Sequence, residues 1–295
     1  MTQPAPVNTA TKDLFRLDGR TIIISGGTGA VGATVGKAIL EVGGDIVILD
    51  MAPAADSKMW DTIKETAALH GTNAWYHQLD VTDENSVPPI FDAIRSETRF
   101  PIRGLVACAG ISGECDAVDY PIHIFRKIID INVAGTFLLA QAAAKEMHHA
   151  NVTGSMVLIA SISGSVTNRG INTAAYNASK SAVLQLGRSL AAEWGHPQNT
   201  FPGRTAGDAN PNPENGPRPT HLPIRVNTLS PGHIETPISE AARVRGLTDA
   251  WANQNMLGRI SQVQEYRAPV LFMLGDGSSY MTGADLRVDG GHCAW

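Results

Sequence analysis

The sequence predicts an α/β fold built on one doubly wound, seven-stranded parallel sheet with helices on both faces. Three observations carry this reading. Short β-branched runs alternate with segments of helical spacing along the whole chain. Several of those runs are apolar almost throughout, as expected of strands covered on both faces. No internal repeat or long charge run breaks the alternation.

Taken in order, residues 1–18 read as a polar tail without the apolar core of a secretory signal. Residues 19–295 then read as one domain. Its strands are expected at 21–25 (TIIIS), 45–50 (DIVILD), 74–79, 104–108, 155–160 (SMVLIA), 224–229 and 285–289. After the first strand, Val31, Val35, Ala38, Ile39 and Val42 fall on one face of a helix, which Gly43-Gly44 ends. One stretch loses the rhythm. Residues 197–223 hold seven Pro and three Gly with almost no periodicity, an extended or partly disordered insertion. Residues 238–258 read as a pair of short helices within a substrate lid at about 237–260.

Composition removes several function classes. A net charge of −5 gives no reason to expect nucleic acid as a partner. No run of about 18 apolar residues is present, so no membrane span is expected. Cys108, Cys115 and Cys293 form no repeated spacing; an odd, sparse set reads as reduced thiols in a cytoplasmic protein, not as a disulfide framework or zinc site. No metal is expected. His148 and His149 are adjacent, a poor spacing for ligands on a helix, and read as a helix end near its negative pole.

The chemistry-bearing residues sit at predicted strand ends. Ser25-Gly26-Gly27-Thr28-Gly29-Ala30-Val31-Gly32 follows the first strand and opens a helix. Gly27, Gly29 and Gly32 satisfy G-x-G-x-x-G, which allows a tight turn and close approach of a pyrophosphate to a helix N-terminus. Asp50, followed by Met51, ends the second strand. A carboxylate there accepts ribose hydroxyls and repels a 2′-phosphate, favouring NAD(H), with NADP(H) still allowed. Asp80-Val81 ends the third strand, where it meets the adenine edge or simply forms a turn. Tyr176 and Lys180 stand four apart on one helix face. A nearby ammonium, with an oxidised nicotinamide, would lower the phenol pKa and let Tyr176 exchange a proton with an alcohol. Ser161 ends the fifth predicted strand. Asn132 interrupts an apolar helical stretch and needs hydrogen-bond partners there.

With these pieces the chain resembles the short-chain dehydrogenase/reductase family, single-domain type. The resembling stretches are SGGTGAVG at 25–32, LDV at 79–81, ACAG at 107–110, INVAG at 131–135, ASISG at 160–164, YNASK at 176–180, SPGHIET at 230–236 and VDGG at 288–291. The resemblance implies a single-domain Rossmann fold and a tetrad of Asn132, Ser161, Tyr176 and Lys180. Tyr176 would be the acid/base, and Lys180 would bind the nicotinamide ribose and bias the tyrosine. Ser161 would hold the substrate oxygen, and Asn132 would position a relay water. It also implies cofactor contacts at Ala109, Gly110, Pro231, Gly232, Ile234 and Thr236, and a homo-oligomer, tetramer or dimer.

Three departures stand out. Ala30 replaces the middle glycine of the usual turn, which also fits longer epimerase-type members. Cys108 replaces an Asn that often ties the central strands. Ser161 lies 15 residues before Tyr176, whereas a spacing of 13 would select Ser163; Ser161 is preferred for its place at the strand end.

The expected partner is a small alcohol or ketone. Within the family the resemblance is nearest to fungal polyol dehydrogenases and ketose reductases, and the candidate pocket residues Ser163, Asn168, Asn172, His233, Trp251 and Asn253 are mostly polar. The alternatives are a tailoring ketoreductase of a secondary-metabolite pathway, whose wider site the 197–223 insertion would shape, and a non-catalytic NAD(H)-binding scaffold or sensor.

Overall fold

The computed structural model describes residues 9–53, 58–196, 221–236 and 240–295. Most of the 197–223 insertion therefore lies outside the described residues, as do residues 1–8 of the tail and 237–239 of the lid.

Seven strands form one sheet, and every pairing in it is parallel. They are β1 (Thr21–Ser25), β2 (Asp45–Asp50), β3 (Ala74–Gln78), β4 (Ile102–Ala107), β5 (Gly154–Ile159), β6 (Ile224–Pro231) and, last in the chain, Asp285–Val288, which is β9. Their spatial order is β3-β2-β1-β4-β5-β6-β9. A separate parallel pair, β7 (Ile234–Glu235) and β8 (Ser261–Gln262), forms a small second sheet. The doubly wound architecture is the one expected. Each strand end falls within about two residues of its sequence reading.

Alternation along each strand explains the two-sided core. In β1, Ile23 faces one layer while Ile22 and Ile24 face the other; in β2, Val47 and Leu49 oppose Ile46 and Ile48. The first layer is covered by α3 (Val87–Glu97), α5 (Thr136–His149) and α6 (Ala174–Trp194), through Phe91, Leu139, Met147 and Val183. The second is covered by α1 (Ala30–Glu41), α2 (Lys58–His70) and α9 (Arg267–Leu274), through Val35, Ile39, Ile63 and Met273. α4 (Ile122–Ile129) runs through a π-helical turn, Asp130–Gly135, into α5. Two short helices, α7 (Glu240–Val244) and α8 (Leu247–Asn253), follow β7.

The insertion joins the end of α6 to the start of β6, so its described flanks lie at the amino edge of the sheet. Ser161 and the glycine-rich turn lie at the opposite, carboxyl edge. These anchor points give no support to the insertion as a shaper of the substrate site.

One correction concerns α5. His148 does end a helix, but it stacks on His221 with ring centroids 4.0 Å apart. Burial, aided by His221, pushes its pKa down to about 4. At neutral pH it carries no charge to place at the helix's negative pole.

Candidate active site

The carboxyl ends of β1 and β4 diverge, because the chain leaves them toward opposite faces of the sheet. That switch point is where open α/β sheets bind ligands. Two glycines there are sterically required. Gly26 has φ +62°, and a Cβ on it would stand 2.9 Å from the Ala109 backbone. A Cβ on Gly32 would run into the Gly26 carbonyl. Backbone thus packs on backbone, and the turn leaves a cradle that side chains would fill. Gly29 starts α1 without any side-chain cap, leaving the helix terminus for an anionic ligand. These features fit a dinucleotide pyrophosphate.

Asp50 faces this turn. Its Oδ2 accepts from the Thr28 N–H at 3.0 Å and from the Thr28 hydroxyl at 2.6 Å. Met51 beside it is exposed, and its carbonyl accepts from Gln78. Asp80 is exposed, and its Oδ1 accepts from the Thr82 N–H and hydroxyl, at 2.9 and 2.7 Å, as in a turn. Val81 is buried, and a Cβ at Gly135 would meet its side chain at 2.6 Å.

The β4 exit is held without the missing Asn. Ser25 accepts the Cys108 N–H on its carbonyl and the Ala109 N–H on its hydroxyl, both at 3.2 Å. Burial pushes the Cys108 thiol up to about 12, against the pull of Lys180.

Asn132 is fully buried in the π-helical turn. Its Oδ1 accepts from the Ile111 N–H, and its Nδ2 donates to the Ile111 carbonyl and to Ser179 Oγ, each at 2.9 Å. The side chain has the partners its burial demands. Its amide is therefore a brace between the β4 exit and α6, with both ends spent on protein groups.

Lys180 is buried, and Nζ donates to the Ile159 carbonyl at 2.7 Å. Burial lowers its pKa to about 8. Nζ stands 5.6 Å from the centre of the Tyr176 ring. The Tyr176 pKa is raised by burial, while the neighbouring Ser161 hydroxyl works the other way. Desolvation of the phenol sets this direction in the protein alone; the expected lowering calls on an oxidised nicotinamide as well as Lys180. Ser161 is extended and nearly buried, and its Oγ also accepts the Ser163 N–H at 3.1 Å. Ser163 instead pairs with Asn168, whose Nδ2 donates to it at 2.7 Å. Of the two serines, Ser161 is the one whose hydroxyl pulls the Tyr176 pKa down.

Ser161, Tyr176 and Lys180 thus gather at the edge that carries the glycine cradle. Residues 20–206, more than half the chain, match the family model described as short chain dehydrogenase. The chain belongs to the short-chain dehydrogenase/reductase family. Residues 220–292 match a second model, described as Enoyl-(Acyl carrier protein) reductase. The chain is similar to Short chain dehydrogenases/reductase notP′ of Aspergillus versicolor, at 51% identity over 97% of this chain and 91% of that protein. It is similar to the D-arabinitol 2-dehydrogenase [ribulose-forming] of Candida tropicalis, at 33% identity over 95% of each. Among solved structures it is similar to the NADPH-Dependent 3-Quinuclidinone Reductase of Rhodotorula Rubra. There the TM-score is 0.82 and the identity 30%, covering 100% of this chain and 98% of that one. Members of this dehydrogenase family use NAD(P)(H), and the cradle here suits such a cofactor.

The remaining candidates separate in this family member. Gly232 must be small, since a Cβ would stand 2.7 Å from Asp289 Cα. It follows Pro231 at the end of β6 and leads to Ile234 in β7 and then Thr236. His233 lies flat on Trp251, with centroids 4.1 Å apart, and edge-on to His292. Burial lowers its pKa to about 4, and its Nε2 is buried without a hydrogen-bond partner among the described residues. Trp251 is buried, with Nε1 donating to the Arg169 carbonyl at 3.4 Å. These two rings are joined to each other by stacking. Asn172 is exposed and donates to Asp116. Asn253 is exposed, and the buried amide of that segment is Asn255, which reaches Arg259 and His292. Asn168 keeps a buried Oδ1 without a partner.

A cleft of about 1090 Å³ opens behind α8, with Thr236, Thr248, Asp249 and Arg259 in its walls, and no tetrad residue lines it. Among the described residues no group of three or more His, Cys, Asp and Glu is placed to hold a metal. All three cysteines are free. No helix of the described residues is long and apolar enough to cross a membrane.

Sequence reasoning missed Ser179, which donates to the Tyr176 carbonyl at 2.7 Å and receives Asn132. Its place three residues after Tyr176 on the same helix was the available signal. It also missed Arg245 and Glu114, which pair across 131 residues and carry no local signal.

Proposed function

We propose that this protein interconverts a secondary alcohol and a ketone, with a polyol or ketose as substrate and NAD(H) as cofactor. The observation that carries the reading is the meeting of Ser161, Tyr176 and buried Lys180 on the edge that holds the glycine cradle. When bound, the nicotinamide supplies the redox partner of the alcohol carbon. The protein supplies the proton chemistry. Tyr176 passes a proton to the carbonyl oxygen in reduction and takes it back in oxidation. Ser161 donates to that oxygen as charge develops on it. Lys180, held by the Ile159 carbonyl, stabilises the phenolate left behind. Asn132 fixes the Ile111 backbone, so that the β4 exit and α6 keep their separation during turnover.

Polar groups beside the serine support a hydroxylated substrate. The buried, unpartnered Oδ1 of Asn168 lacks a donor, a cost that a second substrate hydroxyl would relieve. The similarity to an arabinitol dehydrogenase points the same way. Asp50 supports NAD(H): its carboxylate faces the glycine turn, where a 2′-phosphate would meet like charge. A panel of polyols and ketoses assayed with NADH, NADPH and their oxidised forms tests the reading. Turnover of a polyol with NAD⁺ is expected, and Tyr176→Phe should lower kcat at least a hundredfold, the lower end of general acid–base catalysis at roughly 10²–10⁴. Turnover unchanged by that substitution would overturn the mechanism, and no turnover of any sugar would overturn the substrate class.

A further inference from the structure

Three segments meet over the catalytic edge, and one side chain touches the other two from the third. Arg245 lies between α7 and α8. Its guanidinium forks onto Glu114, with Nη1–Oε2 at 2.7 Å and Nη2–Oε1 at 3.0 Å. Nη2 also donates to the Gly170 carbonyl at 3.3 Å. Glu114 stands on the connection from β4 to α4, and Gly170 on the connection from β5 to α6, two residues past Asn168.

Those two connections are also tied to each other. The Cys115 N–H donates to the Asn172 carbonyl at 2.9 Å, and the Asn172 side chain donates to Asp116. Gly170 has φ +86°, and a Cβ there would stand 2.9 Å from the Leu247 side chain, so the start of α8 presses on this loop.

The segment 245–253 therefore has two attachments of different character. At its far end Trp251 is buried, stacked on His233 and bonded to the Arg169 carbonyl. At its near end the attachment is ionic, and the Arg245 and Glu114 side chains are 48% and 41% exposed. Ion pairs this exposed contribute little to global stability and are screened by salt. That weakness suits a contact that opens and re-forms during turnover.

We propose that Arg245 is a positioning residue for substrate. By clamping segment 245–253 onto the Glu114 and Gly170 loops, it holds Ser163 and Asn168 against Ser161 and Tyr176. It thereby sets KM without touching the reacting atoms. The proposal rests on the alcohol–ketone reading given above.

Arg245→Ala and Glu114→Gln should each raise KM for the best polyol about threefold to fivefold. Changes in kcat should be smaller, and the dissociation constant of the coenzyme, from fluorescence titration, should stay put. Added salt should raise the wild-type KM toward the variants' value and leave theirs flat. Arg245→Lys keeps the charge without the fork and should recover part of the loss. The paired exchange of Arg245→Glu with Glu114→Arg should recover more. Wild-type KM in both single variants, or equal salt dependence in all three proteins, overturns the proposal. Hydrogen exchange on the same proteins without substrate reads the clamp independently. Faster exchange over 168–172 and 245–253 in Glu114→Gln is expected, and unchanged exchange overturns the clamp. A wild-type protein that turns over no alcohol or ketone with either coenzyme breaks the reaction reading alone, since exchange still reports on the clamp.

Discussion

Burial sets the proton chemistry of Tyr176 and Lys180 before any ligand arrives. Both pKa shifts disfavour the charged form, upward for the phenol and downward to about 8 for the ammonium. Ketone reduction needs a protonated tyrosine beside a cationic lysine. Its rate should be level below pH 8 and fall as Lys180 loses its proton above that value. A reduction rate that stays level to pH 9.5 would contradict this, and stopped-flow measurement at saturating substrate reads it directly. The glycine turn gives a second residue-scale expectation. Gly26→Ala places a Cβ 2.9 Å from the Ala109 backbone at a φ that only glycine adopts freely. Strain of about 1–3 kcal/mol is expected, with coenzyme affinity falling at least tenfold in a fluorescence titration. Tyr176, Lys180, Ser161 and the glycines were legible because their roles attach to strand ends and to one helix face. The partners of Asn132 were not, because Ile111 and Ser179 reach it only through the fold.

Strands and helices were readable as elements for a simple reason. A strand buried on both faces needs β-branched residues throughout, and a helix against a sheet needs one apolar face. Charge state within an element is another matter. His148 ends α5 as the sequence implies, yet stacking on His221 and burial hold it neutral until about pH 4, against 6.5 when exposed. A histidine whose folded pKa is depressed contributes stability that is complete above its unfolded pKa. That contribution is lost as pH falls from 6.5 toward 4. His233 has the same direction and cause. Thermal melts should therefore show a loss of Tm across this window, with a shallower slope in His148→Phe, which keeps the stack and removes the titration. An identical slope in that variant would rule His148 out as a contributor. The π-helical turn at Asp130–Gly135 had no sequence signature, since its residues fit an ordinary helix equally well.

Across the whole molecule, parallel strands put every carboxyl end on one edge and every amino end on the other. The consequence is a division of labour: the turn after β1, Ser161 and the Arg245 clamp occupy one edge, and the flanks of the Pro-rich insertion occupy the other. Replacing residues 199–218 by a short Gly-Ser linker should leave kcat/KM for the polyol within about twofold, because changing loop length costs little. A tenfold loss would show that the insertion reaches the site after all.

The sequence by itself determined the sheet, its two-sided core and the residue types at the carboxyl edge, because periodicity and strand-end position are local properties. Tertiary structure alone decided which of those residues meet. Hydrogen bonds and desolvation depend on neighbours far away in the chain, and they separated Ser161 from Ser163, joined His233 to Trp251, raised the pKa of Tyr176 in the protein alone and paired Arg245 with Glu114.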